Sequence, residues 1–161
     1  MWIQNVAAMD VMNGFYRDSG TNVVLIQITN PGASLPVPPD TFASVHQFRF
    51  LDYEASVPFR HADKIQPNQA LAIANVLKKA FEAGNNVVVH CQAGVSRSGA
   101  VVEAAIALGF EDLKGYRSPN LMVKHMIMDA LGLSYDAQEP FTENGRPFIY
   151  DELNNKIFLE P

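Results

Sequence analysis

Cys91 is the only cysteine in the 161-residue chain, and Arg97 follows it across a short gap that contains Gly94. A thiolate is a strong nucleophile, and a guanidinium can fork onto two oxygens of one phosphoryl group. Just upstream, the β-branched triplet 87–89 reads as a buried strand. Just downstream, Ser98 and Gly99 open an Ala- and Val-rich run, 98–108, that reads as a buried helix. Strand, tight loop and helix N-terminus make an anion cradle. Loop N–H groups turn inward, and the helix dipole adds partial positive charge. Gly94 permits backbone angles that a side chain would block. The same positive field lowers the pKa of Cys91 and favours its thiolate. The chemistry this pattern could do is nucleophilic attack on phosphorus.

The string His90-Cys91-Gln92-Ala93-Gly94-Val95-Ser96-Arg97-Ser98 resembles the His-Cys-x5-Arg-Ser/Thr signature of cysteine-dependent protein tyrosine phosphatases. It is most similar to the dual-specificity branch, and the resemblance extends over residues 45–131. Arg117-x-Pro119-Asn120 is similar to the Arg-x-x-Pro-Asn pattern that follows the phosphate loop in that branch, shortened by one residue. The resemblance implies that Cys91 forms a phosphocysteine. Arg97 and the amides of Gln92, Ala93, Gly94, Val95 and Ser96 would then hold the equatorial oxygens. It implies that Ser98 hydrogen-bonds the Cys91 sulfur, a position that also suits a helix cap. His90 should point away from Cys91 if the strand continues that far. The family implies a bracing role for it, and a satisfied core histidine is the other reading. Asn120 either organises the loop or begins a helix.

The leaving oxygen needs a proton, which in this family comes from an Asp on a separate loop. Asp52 stands at a predicted strand end, and Phe50-Leu51-Asp52 resembles the Phe-x-Asp strand end of bacterial members. Asp63 is the alternative acid, or else a turn group before the next helix. Asp52 is the preferred reading. Arg60, His61 and Lys64 either make a positive rim for a phosphopeptide or a solvated loop. His46, His61 and His125 lack the spacing of metal ligands, so no metal and no cofactor is assigned.

These residues must be carried by a frame. Residues 2–6 read as a strand, and Asn13-Gly14 and 18–20 as turns. The run 21–29 reads as a buried strand that ends at Asn30-Pro31-Gly32, and the proline-rich 31–40 as a stiff connector. A third strand is expected over 45–51 and a loop over 55–66. Pro67 opens a helix whose apolar stripe is Ala70, Ile73, Ala74, Leu77 and Phe81, closed by Gly84. Gly109 stops the helix after the loop, 116–120 is a turn, and Pro119 opens a last helix to Leu131. In the tail, Asn144-Gly145 is a hairpin signal that Pro147 weakens. The expected fold is α/β: a central, mostly parallel sheet flanked by helices, with the phosphate loop between a central strand and a helix N-terminus.

Length favours one domain over 1–161, with 135–161 as an extension outside the resemblance. Hydrophobic residues make up 48% and charged residues 18%, a globular balance. The net charge of −5 argues against a nucleic-acid partner. One cysteine allows no intrachain disulfide, and a thiol of this kind must stay reduced. Neither a signal peptide nor a membrane-length apolar run is visible, so a soluble, cytoplasmic chain is expected. Its partner is expected to be a phosphorylated protein or peptide; the sequence does not set the oligomeric state. The functional expectation is hydrolysis of phosphotyrosine, extending to phosphoserine and phosphothreonine if the pocket is open. The rival is the same chemistry on a phosphoinositide, a nucleotide or an RNA 5′ end. Lysines in the loop would favour inositol lipids, and residues 92–96 hold none. An inactive phospho-binding module would usually lack the Cys or the Arg, and both are present.

Overall fold

Three of the expected strands set the centre of the molecule. In the computed structural model they become β1 (Trp2–Ala7), β2 (Gly20–Thr29) and β4 (Asn86–Cys91). The structure describes residues 1–53, 63–136, 140–143, 146–150, 153 and 155–159. β3 (Phe42–Arg49) and the two-residue β5 (Glu111–Asp112) complete a five-stranded sheet in the order β3-β2-β4-β1-β5. Every pairing in it is parallel. β4 lies between β1 and β2, which is why 87–89 is a continuous apolar run: both its faces are covered.

The pleat sorts β4 by parity. Val87, Val89 and Cys91 pack into one cluster with α2 (Pro67–Ala83), α3 (Arg97–Leu108) and α4 (Leu121–Leu131). Val88 packs on the opposite face with Trp2, Val6, Leu25 and Val11 of α1 (Ala8–Asn13). Among the described residues the flanking is therefore unequal, with three long helices on one side and one short helix on the other.

Several expectations are corrected. Asn13-Gly14 is a helix C-terminus rather than a free turn, because α1 precedes it and Gly14 takes the left-handed conformation. At six residues α1 is too short to display a period, and the Asp10 carboxylate supports its start by accepting from Ala7 N at 3.0 Å. The third strand begins earlier than 45–51 and ends at Arg49; Phe50 leaves the strand and is fully buried. In α2 the inward stripe closes on Ala80, while Phe81 is 37% exposed and leans its ring on Phe110 at 5.7 Å. The last helix begins two residues later than expected, after Asn120, whose side chain accepts from Val123 N. β5 has no sequence signal beyond its two residues.

The tail forms a second, antiparallel sheet: β6 (Phe141–Glu143), β7 (Arg146–Tyr150) and β8 (Lys156–Phe158), in the order β6-β7-β8. Pro147 sits in the central strand opposite Thr142, and its carbonyl accepts from Leu159 N at 2.8 Å. Asn144 and Gly145 lie outside the described residues. Phe148 is buried at the centre of this sheet, and Ser118 Oγ donates to the Thr142 carbonyl, tying the sheet to the 116–120 loop. No described helix is long and apolar enough to cross a membrane.

Candidate active site

The carboxyl ends of the parallel strands meet at residues 92–96, between β4 and α3. This is where open α/β sheets place their ligands. The surrounding frame binds four of the loop's carbonyls. Gln92 O accepts from Ala8 N at 3.2 Å, Gly94 O from Asn5 Nδ2 at 2.7 Å, Val95 O from Ser118 N at 3.2 Å and Ser96 O from Asn120 N at 3.0 Å. A peptide whose carbonyl is held outward turns the next N–H inward. Gly94 makes the turn at φ 74°, and a Cβ there would sit 2.4 Å from the Val6 carbonyl carbon. Only glycine fits that place.

Cys91 is buried, with Sγ 3.2 Å from Ser98 Oγ. Burial pushes its thiol pKa up. The Ser98 hydroxyl and the backbone N–H groups of Ser98, Val95 and Gly94 all favour the thiolate, and the net shift is downward. His90 shares the strand face opposite Cys91. Its Nδ1 lies 3.3 Å from the Cys91 carbonyl, and its buried Nε2 has no partner among the described residues. Burial lowers the His90 pKa, as does the Arg97 charge, so a neutral ring is favoured.

Arg97 is 4% exposed. Its Nη1 donates to Asn30 Oδ1 at 2.8 Å and to Phe50 O at 2.7 Å. Its Nε is buried without a partner among the described residues. Asp52 is exposed, and its Oδ1 accepts from Ser96 Oγ and from Asn120 Nδ2, both at 2.8 Å. Asn120 also donates to Tyr53 O at 2.6 Å, so one buried amide caps α4 and holds the chain around Asp52. The side chain thus begins the helix, while only the backbone N–H of Asn120 reaches the 92–96 loop.

Asp63 enters by its backbone: its carbonyl accepts from Leu51 N at 2.7 Å. Lys64 follows it in the turn before α2, and its carbonyl accepts from Gln66 Nε2. Arg60 and His61 lie outside the described residues. Arg117 turns away from the loop, paired with Glu103 at 2.8 Å and Asp112 at 3.1 Å. It fastens the 116–120 segment to α3, and its Cβ would crowd any side chain at Gly99.

Asn5, Asn30 and the tail carry no site signal in the sequence. Asn5 bridges Gly94 O and, at 2.9 Å, Tyr116 O. Its one visible cue is that asparagine is a poor residue for a central strand. Asn30 reads as part of an Asn-Pro-Gly turn, which hides its side chain's other use. From the tail, Thr142, Glu143 and Lys156 join Asp52, Ser96 and Tyr116 around a cleft of about 250 Å³ beside the loop.

A family model for protein-tyrosine phosphatase matches residues 44–127, just over half of the chain. The chain belongs to the protein-tyrosine phosphatase family. Two solved structures are similar to this phosphatase-family chain. Human DUSP28 is 16% identical with a TM-score of 0.45, the match covering 84% of this chain and 83% of that one. Tk-PTP in the active form is 15% identical with a TM-score of 0.44, covering 86% of this chain and 85% of the other. No curated protein sequence matches. The family match ends within α4, so the tail that borders the cleft lies outside it.

Proposed function

We propose that this member of the family is a cysteine-dependent phosphomonoester hydrolase acting on phosphotyrosine, and on phosphoserine and phosphothreonine, in proteins or peptides. The observation that carries the reading is the polarity of the 92–96 loop. The carbonyls of Gln92, Gly94, Val95 and Ser96 are bound by the frame, and the Gly94 and Val95 amides favour the thiolate of Cys91. Such a ring of donors suits a dianionic phosphoryl group and the charge that spreads over its equatorial oxygens in transfer.

In the first step the Cys91 sulfur attacks phosphorus. The S–P bond forms as the P–O bond to the leaving group breaks, and Asp52 gives its proton to the departing oxygen. In the second step water attacks phosphorus, and Asp52, now a carboxylate, takes its proton. The S–P bond breaks, and Cys91 leaves as a thiolate stabilised by Ser98. Arg97 and the loop amides hold the equatorial oxygens throughout. Asp52 is preferred over Asp63 because its carboxylate is anchored to Ser96 of the loop itself. His90 and Asn120 support the loop, and residues 135–161 are an extension that shapes its approach.

The test is hydrolysis of aryl phosphates of graded leaving-group pKa by reduced protein. Cys91→Ser should show no turnover while still binding phosphate; residual turnover would exclude Cys91 as nucleophile. Asp52→Ala should slow poor leaving groups by about a hundredfold or more and good ones far less. That pattern in Asp63→Ala instead would move the acid. Turnover of a nucleotide or inositol phosphate well above that of a phosphotyrosine peptide would overturn the substrate class.

A further inference from the structure

Arginine has five N–H donors in a planar fork. In Arg97 both hydrogens of Nη1 have an acceptor, Asn30 Oδ1 and Phe50 O. Among the described residues, Nε–H and the two hydrogens of Nη2 are left without an acceptor. Nε–H lies on the side of the plane next to Nη2, so these two nitrogens form one edge that can meet two oxygens at once. Nε is buried without a partner among the described residues, and leaving a buried donor unpaired costs its desolvation. A phosphoryl oxygen on this edge would relieve that cost.

The two anchors differ in kind. Phe50 O is backbone, on a residue fully buried just beyond β3. Asn30 is an exposed residue one position past the end of β2, with no core to fill. Its amide oxygen accepts from a guanidinium 67 residues away in sequence. A carboxylate there would compete with a phosphoryl group for the same charge. A neutral amide orients the cation without neutralising it.

We propose that Asn30 is a positioning residue that fixes the plane of the Arg97 guanidinium, so that its Nε–Nη2 edge meets two phosphoryl oxygens. The proposal rests on the phosphoryl-binding role of Arg97 given above. It adds a neutral orienting group from β2 to the loop contributed by β4 and α3.

The experiment is a double-mutant cycle of Asn30→Ala with Arg97→Lys, read by tungstate binding and by p-nitrophenyl phosphate hydrolysis. Asn30→Ala should weaken tungstate binding and lower kcat, each by about tenfold. Its near- and far-ultraviolet circular dichroism should match wild type, because an exposed side chain is lost and no core residue is removed. In the Arg97→Lys background the same substitution should change nothing further, since a point charge has no plane to fix. Asn30→Asp keeps the acceptor but adds a competing charge, so it should bind tungstate more weakly than wild type, increasingly as salt is lowered. Wild-type tungstate affinity and kcat in Asn30→Ala, or an equal loss in the Arg97→Lys background, would overturn the proposal. Loss of the underlying reading would look different: hydrolysis that survives Cys91→Ser, while the tungstate cycle still reports on Asn30.

Discussion

At the Cys91 sulfur two opposed effects meet, and the outcome sets what the residue can do. Burial favours the neutral thiol; the hydroxyl and amide of Ser98 and two loop amides, those of Val95 and Gly94, favour the thiolate and prevail. Removing the Ser98 hydroxyl deletes one donor to the charged form. The inflection in the rate of iodoacetamide alkylation against pH should therefore move upward in Ser98→Ala, and an unchanged inflection would mean the amides suffice. The same shift has a stability consequence. A thiol with a folded pKa below its unfolded value of about 8.5 binds fewer protons in the folded state between the two. Its contribution is complete above the unfolded value and is lost as pH falls through the folded one. The urea midpoint of wild type should therefore rise relative to Cys91→Ser from neutral pH to about 9. At this scale the motif residues were legible because their types and spacing resemble a family signature. Asn5 and Asn30 were not, because a single asparagine looks the same in a turn, a cap or a brace.

The element that matters most is a loop whose shape is imposed from outside. Its carbonyls answer to α1, β1 and the 116–120 segment, so its geometry belongs to the frame as much as to its own sequence. Gly94 and Gly84 separate two costs of replacing a glycine. Both have φ near +73°, but a Cβ at Gly84 meets open space while one at Gly94 meets the Val6 backbone at 2.4 Å. Gly84→Ala should cost about 1–2 kcal/mol in chemical denaturation and leave turnover intact. Gly94→Ala must also push β1 and the loop apart, so its stability loss should be larger and hydrolysis should vanish. Equal losses would show that β1 yields easily. The strands β2 and β4 and the helices α2 and α3 were legible from apolar runs, periodicity and glycine stops. α1 and β5 were too short to show a period, and the edge position of β3, alternating exposed and half-buried, blurred its start.

On the scale of the whole molecule there are two cores. The five-stranded sheet has its helices, while the tail sheet is organised around Phe148, which belongs to neither cluster of the main sheet. Truncating a buried phenylalanine costs about 3–5 kcal/mol, more than a sheet of this size can absorb. Phe148→Ala should bring the amides of 141–158 to near-solvent hydrogen exchange while β1, β2 and β4 keep their protection. Loss of protection throughout would mean that the two sheets unfold together. The tail was the least legible region, because its hairpin signal and Pro147 argued in opposite directions. The seat of β4 between β1 and β2 also bears on how the protein is made. β2 and β3 can pair as soon as both are synthesised, but β1 is flanked only by β4 and β5 and must wait for residues 86 onward. A nascent chain halted before Asn86 should therefore carry a β1 that proteases cut freely beside a β2–β3 pair they cut more slowly. Biosynthesis thus leaves β1 open to chaperones until residues 86–91 are in place, and Cys91 and the strand paired beside it reach their final positions in the same event.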